Sequence, residues 1–161
     1  MTENNKHFAL CFLIHMAENP VNQREKCIIV AEIMKNANRP QAVIGLMEEA
    51  IRYDPKLNPK ERNLVVRPYK TIIKEKRESL SIVVQSIEKE TLENPASPKL
   101  GKLRTLRNKI QTELNNICDE FLDLLDSKLL PNSIDNQAKT FYFQAKADVF
   151  RYLCESCDDK N

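Results

Sequence analysis

Apolar positions recur at intervals of three and four residues along most of the chain, which is the pattern of amphipathic helices. The clearest series has steps of three or four throughout and comprises Leu103, Leu106, Ile110, Leu114, Ile117, Phe121 and Leu124. It predicts one long helix of about six turns. Pro131 and Asn132 follow this series, so we expect the helix to end before them.

Prolines and asparagines divide the remaining sequence into further helical segments. The same spacing predicts helices over about 5–17, 22–36, 40–54, 58–91 and 135–156. Asn58, followed by Pro59 and Glu61, has the pattern of a capping box with proline in the first turn, so the helix predicted over 58–91 is expected to begin there. Pro68 lies inside that helix, where it is expected to remove a backbone hydrogen bond and introduce a kink.

The composition narrows the fold class further. The chain has 161 residues, which suits one domain, and two glycines, where average usage would give roughly eleven. So few glycines exclude glycine-rich phosphate loops and argue against folds rich in hairpins. We therefore predict an all-α protein, an antiparallel helical array joined by short loops.

The charge is balanced overall but unevenly distributed. A formal net charge of +2 does not indicate a nucleic-acid partner. The segment 67–77 nevertheless carries Arg67, Lys70, Lys74, Lys76 and Arg77 against a single carboxylate. This basic segment is the first candidate for a binding function.

The sequence does not favour metal, redox, catalytic or membrane chemistry. Five cysteines without dense spacing are typical of buried thiols in a reducing cytosol. Cys154 and Cys157 have C-x-x-C spacing, but no second pair of ligands accompanies them. The apolar run Phe8–Ile14 is too short to span a bilayer, and we interpret it as a buried helix face rather than a signal peptide. We expect no enzymatic activity, no cofactor and no membrane partner.

Three separated stretches of the chain are recognisable as family motifs. They comprise Lys60–Leu64 with Tyr69-Lys70, then Lys109–Cys118 running into Leu129–Asn132, and finally Phe141-Tyr142 with Lys146–Asp148 and Arg151–Glu155. Together they closely resemble the 14-3-3 family of phosphoprotein-binding adaptors, over about residues 24–157.

The resemblance implies an array of nine antiparallel helices whose groove binds a segment containing phosphoserine or phosphothreonine. It implies phosphorylated client proteins as partners, a homodimer or a heterodimer with other 14-3-3 proteins, and location in the cytoplasm of a eukaryotic cell and in its nucleus. We expect residues 1–22 to be an extra N-terminal helical segment and residues 23–161 to be the family domain. That domain is expected to lack the last helices of a usual member.

The resemblance assigns the phosphate site to a lysine, two arginines and a tyrosine, namely Lys70, Arg77, Arg151 and Tyr152. The residue spacing agrees, because Lys70 and Arg77 are two helical turns apart and share a face. Asp148 and Glu155 lie three residues before and four residues after Arg151, where they can hold its side chain in position.

The resemblance also implies the subunit interface. In the family the first helix packs on the third and fourth helices of the partner. By motif, the apolar residues of this interface are Ile33, Ala37 and Val43 against Leu106 and Ile110, with an ion pair between Arg39 and Glu113. The acidic partner of a second family ion pair falls at Ala42 and is lost.

Two other classes of function stay open at this point. The chain could be a dimerisation module derived from the family, with an incomplete groove that does not bind phosphopeptides on its own. It could also be a general helical scaffold, although no fixed repeat period is visible.

Overall fold

The computed structural model describes the backbone of residues 20–158 and the side chains of residues 22–155. It contains five α-helices and a π-helical turn: α1 (Pro20–Asn36), α2 (Pro40–Tyr53), α3 (Pro59–Glu93), α4 (Lys99–Leu124), the turn Leu125–Leu129, and α5 (Asn136–Asp158). No strand occurs within the described backbone, and the predicted all-α class is confirmed. The predicted segment 5–17 lies outside the described residues.

The start of α3 shows how local chemistry sets a helix boundary. The Asn58 side chain accepts hydrogen bonds from the backbone amides of Lys60 and Glu61, at 2.9 and 3.0 Å. The Glu61 carboxylate accepts one in return from the Asn58 amide at 3.1 Å. The predicted capping box is therefore confirmed. Glu61 also forms a 2.8 Å ion pair with Arg24, which ties α1 to the beginning of α3.

Replacing Asn58 with alanine is expected to lower the free energy of unfolding by about 1 kcal/mol, because two helix amides lose their acceptor. Urea denaturation of the variant and the parent protein measures the difference. Asn94→Ala at the other end of α3 is the control, since its side chain forms no hydrogen bond within the described structure. An equal decrease in the free energy of unfolding of the two variants would contradict a stabilising role of the capping box.

The core lies between α2, α3, α4 and α5, and Tyr69 is at its centre. The Tyr69 ring is fully buried and stacks on Phe121 with 4.3 Å between the ring centroids. Its hydroxyl donates a 2.8 Å hydrogen bond to Glu48 of α2, so the polar end of the side chain is also satisfied. Burial, with that carboxylate as the next cause, raises the pKa of Tyr69 far above its ordinary value. α3 continues through Pro68, and the side chain of this proline is buried.

The apolar series on α4 is divided between core and surface. Leu114 and Phe121 are fully buried, whereas Leu106 is 44 % exposed. α4 ends at Leu124, and the π-helical turn carries the chain towards Pro131. The spacing did not predict this turn, because Leu125 and Leu129 are four residues apart and can face the core in either helical form.

The cysteines only partly follow the sequence prediction. Cys27 and Cys118 are buried free thiols, and burial raises the pKa of Cys118 to about 11. Cys154 is exposed, so the prediction of buried thiols is wrong at this position, which α5 turns towards solvent. Within the described part of the chain, no cluster of side chains suits a metal ion and no helix is both long and apolar enough to cross a membrane.

Candidate functional site

A cavity of about 500 Å³ opens between the middle of α3 and the end of α5, and we call it the α3–α5 cavity. Its lining consists of Lys70, Lys74, Arg77, Glu78, Ser81, Arg151 and Tyr152. All four residues predicted to hold phosphate are among them. Two come from α3 and two from α5, and about 70 residues of sequence separate the pairs.

The helical register explains why these side chains meet. Lys70 and Arg77 lie two turns apart on one face of α3. α5 packs against α3 and the core through Ala138, Tyr142, Ala145 and Val149, all of which are buried. Arg151 and Tyr152 follow this buried series directly, so they lie beside the cationic face of α3.

Two carboxylates hold the cations of the cavity in place. Asp148 accepts a 2.6 Å hydrogen bond from the Lys70 ammonium. Glu155 accepts hydrogen bonds from both arginines, at 2.8 Å from Arg151, and so bridges Arg77 and Arg151. Asp148 also lies 3.7 Å from Arg151. Both contacts predicted for Arg151 are present, whereas the contacts with Lys70 and Arg77 were not predicted.

Tyr152 contributes its aromatic ring to the contacts within the cavity. The guanidinium carbon of Arg77 lies 4.6 Å from the ring centroid, and that of Arg151 lies 4.5 Å from it. Both are cation–π contacts. The ring therefore keeps two like charges close together, an effect that residue spacing alone did not indicate.

The electrostatics of the cavity favour the ionised forms. The hydrogen bond from Lys70 lowers the pKa of Asp148, and the nearby Arg151 adds to this effect. The hydrogen bond to Glu155 raises the pKa of Arg151. With Lys74 and Glu78 included, four cations face three carboxylates. An anion that takes the place of a carboxylate would therefore find arginines already in position.

Comparison with known proteins identifies the family. The sequence model of the 14-3-3 protein family matches residues 30–161. The chain belongs to the 14-3-3 family. It is 34 % identical over 140 residues to a 14-3-3 protein of Giardia intestinalis, a match that covers 85 % of this chain and 56 % of the relative. It is 35 % identical over 131 residues to human 14-3-3 protein beta/alpha, which covers 81 % of this chain and 52 % of the relative.

Membership of the 14-3-3 family confirms the resemblance inferred from the three sequence motifs. It supports the expectation that the protein is not an enzyme, whereas the adaptor role stays a proposal. The chain spans about half the length of the relatives it matches. Phosphate binding by the four residues of the cavity stays a prediction.

The residues predicted for the subunit interface differ in their exposure to solvent in the single chain. Most of them are accessible in the single chain: Ile33 is 56 % exposed, Leu106 is 44 % exposed, Ala37 and Arg39 are exposed, and Ile110 is half-buried. Val43 is only 1 % exposed. Its place at the interface is therefore wrong, because α2 turns it inwards against α3.

Glu113, the predicted partner of Arg39 across the interface, already has a partner in its own chain. It accepts a hydrogen bond from Lys76, and this contact lowers the pKa of Glu113. An ion pair with Arg39 of a second subunit would therefore share or replace the bond to Lys76. That inter-subunit ion pair stays a prediction.

Proposed function

We propose that the protein is an adaptor that binds phosphoserine- or phosphothreonine-containing segments of client proteins in the α3–α5 cavity. The observation that supports this proposal is the convergence of Lys70, Arg77, Arg151 and Tyr152 from distant parts of the sequence on one cavity. A phosphate group carries nearly two negative charges and three strong acceptor oxygens. Its chemistry matches two guanidinium groups, an ammonium and a phenolic hydroxyl.

Binding is proposed to proceed by replacement of carboxylates. The phosphate takes the position of Glu155 between Arg77 and Arg151, because a dianion gains more from two guanidinium groups than a single carboxylate does. Lys70 adds a point charge, and Tyr152 offers its hydroxyl while its ring supports both arginines. Asp148 keeps the Lys70 ammonium directed towards the cavity.

Fluorescence polarisation with a labelled Arg-x-x-pSer-x-Pro peptide tests this function. We expect saturable binding of the phosphorylated peptide and at least tenfold weaker binding of the same peptide without phosphate. A peptide with glutamate in place of phosphoserine is the matched control for charge alone. If the phosphorylated and unphosphorylated peptides bind equally, the alternative function as a dimerisation module is favoured.

We also propose that the protein forms a homodimer, or a heterodimer with other 14-3-3 proteins. The support is the apolar surface that α1 leaves uncovered in the single chain. Ile29 is 59 % exposed and Ile33 is 56 % exposed, and they lie one turn apart on α1. Contiguous exposed apolar side chains of this kind are typical of protein–protein contact surfaces.

A further inference from the structure

A second group of cations lies at the N-terminal end of α3, outside the α3–α5 cavity. Two cavities of about 190 and 220 Å³ adjoin there, and both are lined by Lys35, Asn63, Leu64 and Arg67. Arg39 lines the first and Lys60 lines the second. We call the combined surface the basic groove. Its four cations come from three places in the chain: the end of α1, the loop before α2, and the first turns of α3.

Within the described part of the chain, the cations of the basic groove differ from those of the α3–α5 cavity in having no charged or hydrogen-bonding partner. Lys35, Arg39, Lys60 and Arg67 are all exposed, and within the described residues none of their side chains forms an ion pair or a hydrogen bond. Among the residues that line the groove, Glu32 carries the one carboxylate. The groove therefore has an excess of three positive charges over a few turns of helix.

The register of α3 connects the basic groove to the α3–α5 cavity. Lys60, Arg67 and Lys74 are spaced by seven residues, so they form one row that drifts by only about 20° per step. Lys74 lines the α3–α5 cavity, whereas the other two line the basic groove. A continuous cationic row thus runs from the proposed phosphate site to the basic groove.

We propose that the basic groove binds a second phosphate group on the same client segment. The inference rests on the proposed function, because the first phosphate is taken to occupy the α3–α5 cavity. Arg67 supplies a guanidinium that can bind phosphate with two hydrogen bonds, and Lys60 and Lys35 supply ammonium groups. A phosphate dianion matches the groove better than a single carboxylate does, since the residues that line the groove carry an excess of three positive charges.

The separation of the two sites along α3 sets the spacing of the two phosphates. Seven to ten helical residues separate the centres of the two sites, which corresponds to roughly 10–15 Å at 1.5 Å per residue. An extended peptide covers that distance with about three to five residues at 3.3 Å each. The preferred client therefore carries two phosphorylated residues about four positions apart.

Fluorescence polarisation of four matched, labelled peptides, each titrated with the whole chain, tests the inference. The peptides carry no phosphate, one phosphate, or a second phosphoserine placed four residues before or four residues after the first. We expect one of the two doubly phosphorylated peptides to bind about tenfold more tightly than the singly phosphorylated one. The inference is overturned if neither doubly phosphorylated peptide gains affinity.

Two double variants show which cations cause any gain in affinity for the doubly phosphorylated peptide. K60Q/R67Q should abolish the gain and leave binding of the singly phosphorylated peptide within about twofold of the parent. Arg39 is left unchanged because it also lies in the predicted subunit interface. The control K89Q/R104Q removes two exposed cations from other surfaces and should retain the gain. Persistence of the gain in K60Q/R67Q would overturn the inference.

A separate measurement keeps this inference distinct from the proposed function. If the singly phosphorylated peptide does not bind, the proposed function fails, and titration with inorganic phosphate then tests the basic groove alone. The NMR signals of the Asn63 side-chain amide and the Arg67 guanidinium should shift on titration of the parent protein, and the Asn63 signal should not shift in K60Q/R67Q. The absence of any shift in the parent protein would overturn the second site.

Discussion

Replacing Arg77 with alanine is expected to weaken phosphopeptide binding by about 30- to 1,000-fold, the range for loss of a charge-assisted, bidentate contact. The substitution removes one guanidinium and leaves the phosphate with half of its arginine contacts. It also removes the cation–π contact with Tyr152, so the ring that supports Arg151 is less well fixed. Arg151→Ala is expected to reduce affinity over the same range.

Folding should be almost unchanged in both variants, because neither arginine belongs to the buried core. Circular dichroism checks the helical content, and fluorescence polarisation measures the affinity. Arg104→Ala is the matched control, since Arg104 is an exposed arginine of α4 outside the α3–α5 cavity and the basic groove. Unaltered affinity in Arg151→Ala would show that the phosphate binds elsewhere.

Replacing Ile33 with aspartate is expected to convert the proposed dimer into folded monomers. A two-fold interface contains each residue twice, so burial of two isoleucine side chains, worth about 1.5–3 kcal/mol each, is lost. The substitution would also bury two carboxylates without partners if the dimer persisted. A rise of at least 100-fold in the dimer dissociation constant follows, and sedimentation over a range of concentrations measures it.

Ile134→Asp is the control for this experiment because it introduces the same charge at a similarly exposed position. Ile134 is 58 % exposed in the loop before α5, compared with 56 % for Ile33 on α1. The control variant should sediment like the parent. An unmodified protein that is monomeric at tens of micromolar would contradict the proposed dimer.

The helices of this chain were predictable because local chemistry determines them. The capping box at Asn58 and the prolines at the starts of α2 and α3 act over one turn, and apolar spacing sets each buried face. The position of Val43 was not predictable in this way. An apolar residue of a helix can face the core or a second subunit, and only the packing of α2 on α3 decides between them.

The four phosphate-site residues of the α3–α5 cavity were predictable from the sequence, but its internal contacts were predictable only around Arg151. The seven-residue spacing of Lys70 and Arg77 places them on one face, and the family motif added Arg151 and Tyr152. The ion pair between Lys70 and Asp148 joins residues that are 78 positions apart, so no spacing rule could indicate it. The basic groove was not predicted for the same reason, since its cations belong to three separate elements.

The bridge that Glu155 forms between Arg77 and Arg151 has a kinetic consequence. If phosphate displaces it as proposed, this carboxylate remains attached to α5 beside the two guanidinium groups, at the high effective concentration of an intramolecular group. Each time a phosphate oxygen loses its hydrogen bond to an arginine, Glu155 can rebind that arginine before the oxygen does. Release of a client would then be a stepwise displacement, which shortens its residence time, and binding would follow the same steps in reverse.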